Sequence, residues 1–169
     1  RDQDFLYFFK EIRKLLHDTF GVFAPKDLDR IYKIIYDEEM SLEQKIIEIL
    51  MINVSTKERL NFYKEIYSKI FIEDPIEIMD LASGLNPISI YFSDKKPNRY
   101  YFVDLSEDII EINTVILKEI GIEAYGYVLD ISELKNEIIR RHYQYIFLWK
   151  TIPVLEKIDR KLPYNLLSV

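Results

Sequence analysis

A short glycine loop separates an apolar stretch from a proline in the segment Ile76-Glu-Ile-Met-Asp-Leu-Ala-Ser-Gly-Leu-Asn-Pro87. Twenty positions after Gly84, the run Tyr100-Tyr-Phe-Val-Asp104 ends on an acid. If both apolar runs are parallel strands, the loop and the acid meet at the carboxyl edge of one sheet. A residue without Cβ there lets a ligand approach the backbone and the amides of the next helix. A carboxylate there can accept hydrogen bonds from both ribose hydroxyls. The pair predicts a nucleoside site.

The loop carries a single glycine, whereas a pyrophosphate cradle has the pattern Gly-x-Gly-x-x-Gly. This favours a ligand that contains adenosine but no phosphate, such as S-adenosylmethionine. From these residues alone a second interpretation stays open. The segment from Asp80 to Pro87 could be an ordinary turn between a strand and a helix, with Asp104 a polar cap on an unrelated strand.

Composition limits the other classes of function. The 169 residues contain no cysteine and only two histidines, so we expect no disulfide, no thiolate chemistry and no metal site. No apolar run is long enough to span a membrane, and residues 1–5 lack the order of a signal peptide, so we predict a cytoplasmic protein. The net charge of −6 argues against indiscriminate nucleic-acid binding. It leaves open a local basic patch formed by Lys57, Arg59, Lys64 and Lys69.

Helical periodicity dominates residues 1–74. A first apolar face predicts a helix that ends near Gly21, and a second helix is expected to open at Pro25. The patterns Ser41-Leu-Glu-Gln44 and Ser55-Thr-Lys-Glu58 both read as capping boxes that start further helices. The last of these helices has an apolar stripe that is more typical of core than of a ligand-stacking site: Leu60, Tyr63, Ile66, Tyr67 and Ile70.

From residue 75 onward, predicted strands and helices alternate. Strands are expected at residues 76–81, 100–103, 124–129 and 145–149, with helices from Pro87, at 106–120, at 132–141 and after Pro153. Residues 166–169 read as the start of a fifth strand. This order predicts an α/β fold with a parallel, doubly wound sheet. We therefore expect a helical region at residues 1–74 and an α/β domain at residues 75–169.

Five motifs occur in order along the chain: Ser55-Thr-Lys-Glu-Arg-Leu60, Asp80-Leu-Ala-Ser-Gly-Leu-Asn-Pro87, Asp104, Asp130, and Phe147-Leu-Trp-Lys-Thr-Ile-Pro-Val-Leu-Glu156. Together they resemble the aminoglycoside-resistance 16S ribosomal RNA (guanine-N7)-methyltransferases. The resemblance covers about residues 50–169. It implies a Rossmann-like class I methyltransferase sheet preceded by a helical region that contacts the RNA and covers the cofactor. It also implies S-adenosylmethionine as cofactor, the small ribosomal subunit as partner, and a monomer.

The resemblance also implies roles for individual residues. Arg59 would pair with the methionyl carboxylate of the cofactor, although it could also be a plain surface arginine. The loop would face the methionyl group, Asp104 would hold the ribose hydroxyls, and Leu105 would also belong to the cofactor site. Asp130 and Ile131 would contact the adenine, although Asp130 could equally be an acid at a helix N-terminus. The loop residues in this predicted cofactor site are Asp80, Ala82, Ser83, Gly84 and Asn86.

The edge at Trp149 and Lys150 would position the substrate, and Trp149 would also contact the cofactor. An Asn/Asp-Pro-Pro-Tyr sequence, which many amine methyltransferases carry there, is absent, which points away from exocyclic amines. Guanine N7 has an available lone pair and loses no proton on attack, so no general base is expected.

The sequence departs from the family in two respects. Ser83 replaces a common cysteine, and the later Ser-Phe-Pro and Lys-Gly-Met segments have no counterpart. We therefore expect a sheet that stops after the fifth strand, in either a shortened member or a fragment. A non-catalytic RNA- or ribosome-binding protein that keeps this fold, and a small-molecule methyltransferase, stay as alternatives.

Overall fold

The computed structural model describes residues 27–130 and 143–149. Four helices and a short 3-10 turn come first: α1 (Leu28–Ile35), α2 (Leu42–Ile52), α3 (Val54–Arg59), the turn Leu60–Phe62, and α4 (Tyr63–Ile70). The second half contains β1 (Glu77–Leu81), the 3-10 helix Asn86–Phe92, β2 (Arg99–Asp104), α5 (Glu107–Ile120), β3 (Glu123–Val128) and β4 (Tyr145–Phe147). The elements predicted before residue 27, at 132–141, after 153 and at 166–169 lie outside the described residues.

The four strands form one sheet in which every pairing is parallel. Their order is β3-β2-β1-β4, so the order reverses at β1. This arrangement confirms the predicted α/β fold. In open parallel sheets a ligand binds beyond the carboxyl ends of the strands at the point where the order reverses. The sheet therefore directs attention to the loops after β1, β2 and β4.

The main hydrophobic cluster packs one face of the sheet against the helices. It includes Ile31 of α1, Leu50 of α2, Tyr67 of α4 and Phe102 of β2, all fully buried. The two aromatic residues of the predicted stripe are core, as predicted: Tyr63 and Tyr67 are fully buried, and their rings stack with centroids 6.0 Å apart. Residues from both sides of the predicted boundary at 74/75 thus share a core, and the division into two regions stays a prediction. None of the described helices is long and apolar enough to cross a membrane.

One predicted capping box is confirmed and the other is wrong. Ser41 caps α2, and the reciprocal bond from its backbone amide to the Gln44 side chain is present. At the next helix, Asn53 is the cap, because its extended backbone lets its side chain accept a hydrogen bond from the Ser55 amide. Helix α3 therefore begins at Val54, and the Ser55 hydroxyl is left to contact Arg59 instead.

The segment after the glycine loop also differs from expectation. A helix predicted to begin at Pro87 is a seven-residue 3-10 helix that begins at Asn86, with the proline in its first turn. Strand β4 ends at Phe147, two residues before its predicted end. The interval between α3 and α4 is a 3-10 turn, so the single helix expected from Ser55 to Ile70 consists of three pieces. The other strands and α5 lie within about one residue of their predicted bounds.

Candidate active site

The loop after β1 has an unusual backbone at two positions. Ala82 has φ of 52° and Gly84 has φ of 51°, both in the left-handed region. An alanine is strained in that region, whereas glycine adopts it readily. The Ser83 amide donates to the carbonyl of Val103 in β2 at 2.9 Å, which fixes the loop to the neighbouring strand. The chain thus reverses direction tightly at the carboxyl edge of the sheet.

Asp104 lies against this loop, as the sequence predicts. Its Oδ2 accepts a hydrogen bond from the Gly84 amide at 2.8 Å, and its Oδ1 accepts one from the Ser106 amide at 3.0 Å. Burial raises the pKa of Asp104, while the bonds from these backbone amides act in the opposite direction. Each carboxylate oxygen has a further lone pair, so the group retains acceptor capacity for a ligand.

Arg59 is fixed at the end of α3. Its guanidinium donates to the Tyr63 hydroxyl at 3.3 Å, to the Ser55 hydroxyl at 3.1 Å and to Asn86 Oδ1 at 3.4 Å. It also lies over the ring of Trp149, 5.1 Å from the centroid, which is a cation–π distance. The side chain from the helical region therefore meets both the β1 loop and the segment that follows β4.

Asn86 connects Arg59 to a buried acid. Its Nδ2 donates to Asp80 Oδ2 at 3.0 Å, while its Oδ1 accepts from Arg59 and from the Tyr63 hydroxyl. Asp80 is fully buried and also accepts from the Tyr100 hydroxyl at 3.1 Å. Burial raises the pKa of Asp80 to about 8, and repulsion from Asp104 adds to it, whereas the two hydrogen bonds and Arg59 oppose it. Asp80 therefore touches the site through Asn86.

The remaining predicted residues are placed as follows. Leu105, directly after Asp104, is half exposed. Asp130 lies two residues beyond β3, and the preceding Leu129 amide donates to the Asp104 carbonyl, so β3 ends at the same edge. Ser83 is buried in the loop. Ile131 and Lys150 lie outside the described residues. The structure thus brings together Arg59, Asp80, Asn86 and Trp149 as one group, and Gly84 and Asp104 as another.

One polar residue at this site was missed by sequence reasoning. Asn113, fully buried in α5, donates from Nδ2 to the carbonyl of Gly84 at 2.7 Å. In the sequence it stands between the apolar residues of an amphipathic helix. An amide at such a position is a signal that could have been noticed, because buried amides need partners.

The arrangement suits a zwitterionic nucleoside ligand. A guanidinium stands at one end, a strained loop with accessible backbone lies in the middle, and a carboxylate stands at the other end. No group of three or more acidic or histidine side chains within residues 27–130 and 143–149 could hold a metal ion. A parallel sheet with such a site at its switch point is typical of Rossmann-like folds that bind nucleoside-containing ligands.

Comparison with known proteins agrees with that class. A model of the ribosomal RNA methyltransferase (FmrO) family matches residues 33–168, and the chain belongs to this family. A 16S rRNA (guanine(1405)-N(7))-methyltransferase of Micromonospora echinospora is 25% identical over 95% of this chain and 61% of its own length.

Two solved structures share the fold. The 16S rRNA methylase RmtB has a TM-score of 0.77 and 22% identity, over 94% of this chain and 62% of that one. RmtF, solved with S-adenosyl-L-homocysteine, has a TM-score of 0.69 and 23% identity, over 94% and 60%. The chain thus spans about 60% of the length of these relatives.

Proposed function

We propose that the protein transfers a methyl group from S-adenosylmethionine to a guanine N7 of 16S ribosomal RNA in the small subunit. One observation carries the proposal: in a chain of the rRNA methyltransferase family, Arg59 and Asp104 flank a strained glycine loop at the switch point of the sheet. The Micromonospora relative is named for guanine N7 of 16S rRNA, which supports the same target.

The described residues fit this cofactor. Three of the five N–H groups of Arg59 donate to described side chains, which leaves two for the methionyl carboxylate. Asp104 has lone pairs for the ribose hydroxyls, and Leu105 is exposed beside it. Asp130 is at the edge where we place the adenine. The contact of Ile131 with the ring, which the resemblance implies, stays a prediction. RmtF, which shares the fold, was solved in complex with S-adenosyl-L-homocysteine, and this supports the choice of cofactor.

Bound S-adenosylmethionine would supply an electrophilic methyl group. The contribution of the protein is then to orient the two reactants and to exclude water, since N7 attacks through its own lone pair and no proton has to be removed. Trp149 and Lys150 are proposed to position the guanine. The Arg59 guanidinium lies over the Trp149 ring, 5.1 Å from its centroid, so the ring adjoins the group proposed to hold the cofactor.

The proposal has consequences for the partner and the setting. We place the protein in the cytoplasm, as a monomer that acts on the small ribosomal subunit. Methylation of a drug-binding guanine would give aminoglycoside resistance, and this outcome is part of the proposal.

The direct test is incubation of the purified protein with methyl-labelled S-adenosylmethionine and 30S subunits. We expect label in 16S rRNA, and chain cleavage after borohydride and aniline treatment at the modified guanine, because N7 methylation labilises that base. Small amines should take up no label. Label in the amines alone would favour a small-molecule methyltransferase. Binding to 30S subunits without any transfer would favour a non-catalytic ribosome-binding protein, and either result would overturn the proposal.

A further inference from the structure

We propose that Asn113 of α5 is a positioning residue of the cofactor site, which holds the Gly84 peptide in the orientation that the ligand requires. This inference rests on the proposed function, because it assigns Asn113 a role in cofactor binding. Its structural basis is the hydrogen bond from Asn113 Nδ2 to the Gly84 carbonyl, at 2.7 Å.

The position of Asn113 in α5 is unfavourable for a polar residue. The buried face of this helix is otherwise apolar, and its members are Ile109, Ile112, Ile116 and Leu117. Asn113 is fully buried among them. Its Oδ1 is also buried and has no hydrogen-bond partner among the residues that the structure describes. A buried acceptor without a partner destabilises the fold, so an apolar side chain of similar size would suit helix packing better.

The Asn113 side chain and the Asp104 carboxylate both bind the backbone of Gly84. Asp104 accepts from the Gly84 amide, and Asn113 donates to the Gly84 carbonyl, so both polar groups of this residue are held by side chains from different elements. Gly84 has left-handed φ, and no atom of residues 27–130 or 143–149 outside its immediate chain neighbours lies within 4 Å of the position that a Cβ would occupy. Neighbouring side chains therefore do not fix the loop by steric contact at this point. The Gly84 carbonyl also accepts a longer hydrogen bond, at 3.4 Å, from the Ser83 hydroxyl within the loop. The bond to Asp104 and the bond from Asn113 are the ones that join the peptide groups flanking Gly84 to other elements.

This arrangement predicts that removal of the Asn113 amide weakens cofactor binding without lowering the stability of the folded state. Removal of the Asn113 amide should release the Gly84 peptide, so the loop samples other orientations and the ligand must order it on binding. The same change removes the unsatisfied oxygen from the core. Cofactor affinity should therefore fall while the folded state is as stable as before or more stable.

The experiment uses the Asn113→Leu variant, with Thr114→Val as the matched control. Thr114 is the next residue of α5, and its hydroxyl donates to the Ile110 carbonyl within the helix rather than to the loop. Three quantities are measured: the exchange rate of the Gly84 amide by NMR, the affinity for S-adenosylhomocysteine by calorimetry, and the midpoint of urea unfolding. For Asn113→Leu we expect faster Gly84 exchange, at least about tenfold weaker binding, and an unfolding midpoint that does not fall.

Asn113→Met provides a second variant, with an unbranched apolar side chain. A thioether has no N–H to donate to the Gly84 carbonyl, so this variant should also lose affinity, whereas Thr114→Val should bind like the parent protein. Unchanged affinity in both Asn113 variants, or weaker binding that only follows a lower unfolding midpoint, would overturn the inference. If the parent protein binds no S-adenosylhomocysteine, the proposed function fails. Gly84 exchange then still decides whether Asn113 holds the loop, and an unchanged exchange rate would overturn that as well.

Discussion

Arg59 is held in place by contacts with other side chains of the protein. Hydrogen bonds to Ser55, Tyr63 and Asn86 fix the guanidinium, and the Trp149 ring lies against it. A side chain that is already ordered loses little conformational entropy when a carboxylate binds to it. This preorganisation is what a site for a small zwitterion requires.

Arg59→Lys is expected to weaken S-adenosylhomocysteine binding by about tenfold or more, although the charge is retained. A lysine ammonium has no planar fork and cannot reproduce three directed hydrogen bonds while it binds two carboxylate oxygens. Calorimetric titration of the variant measures the effect. Lys57→Arg, on the exposed side of the same helix, is the control and should bind like the parent. Equal affinities of the Arg59→Lys variant and the parent protein for S-adenosylhomocysteine would contradict the assignment of Arg59 to the cofactor site.

Asp80 makes the stability of the protein depend on pH. Its pKa is raised from 3.8 to about 8, so the folded state keeps a proton that the unfolded chain releases. Between these values the unfolded chain binds fewer protons, and the contribution of Asp80 to the free energy of unfolding therefore falls as pH rises. The slope is at most ~1.4 kcal/mol for each pH unit.

Asp80→Asn removes this titration and keeps an acceptor for Asn86 and Tyr100. Urea unfolding of both proteins at pH 5, 6 and 7 should show the parent losing stability relative to the variant as pH increases. A stability difference that does not change with pH would contradict a raised pKa at Asp80.

At the scale of elements, the start of α3 is a place where the structure differs from the prediction made from the sequence. Asn53→Ala should lower the free energy of unfolding by about 1 kcal/mol, because Asn53 is the N-cap. Ser55→Ala should cost less stability, since its hydroxyl contacts Arg59 rather than a backbone amide of the helix. Urea denaturation measures both. A larger loss for Ser55→Ala would favour the capping box that the sequence indicated.

The capping box at Ser55 was predicted wrongly because the cap of α3 depends on a tertiary contact. Both Asn53 and Ser55 are good cap residues, and the choice depends on Thr56, whose buried hydroxyl donates to the Leu50 carbonyl at 2.6 Å and so ties α3 to the end of α2. Ser41 has no such competitor, and its capping box was predicted correctly. Sequence patterns identify candidate caps, but a contact across two helices selects between them.

The candidate site likewise contains contacts that the sequence predicted and contacts that it did not. Gly84 and Asp104 could be predicted together because β1 and β2 are parallel neighbours, with Leu81 paired to Val103. The roles predicted for Arg59 and Trp149 came from the family resemblance, and the structure places these two side chains in contact. The contacts of Asn113, and the chain from Arg59 through Asn86 to Asp80, could not be predicted, because they join residues from separate elements whose packing no local pattern specifies.

At the scale of the whole molecule, the helices and the sheet share one hydrophobic cluster. Tyr67 of α4 contacts both Phe147 of β4 and Trp149, with ring centroids 6.3 Å and 6.4 Å apart. The helical region and the sheet should therefore unfold together. Fluorescence of Trp149, the single tryptophan, and far-UV circular dichroism should give the same urea midpoint. Two separate midpoints would show that the regions fold independently.

The most direct measurement is calorimetric titration of the purified protein and its Asp104→Ala variant with S-adenosylhomocysteine. We predict micromolar binding by the parent protein. We predict binding about 10- to 100-fold weaker for the variant, because it loses the charged acceptor for the ribose and the partner of the Gly84 amide. Absence of binding by the folded parent protein, or equal affinity in the variant, would contradict a cofactor site built on the Gly84 loop and Asp104.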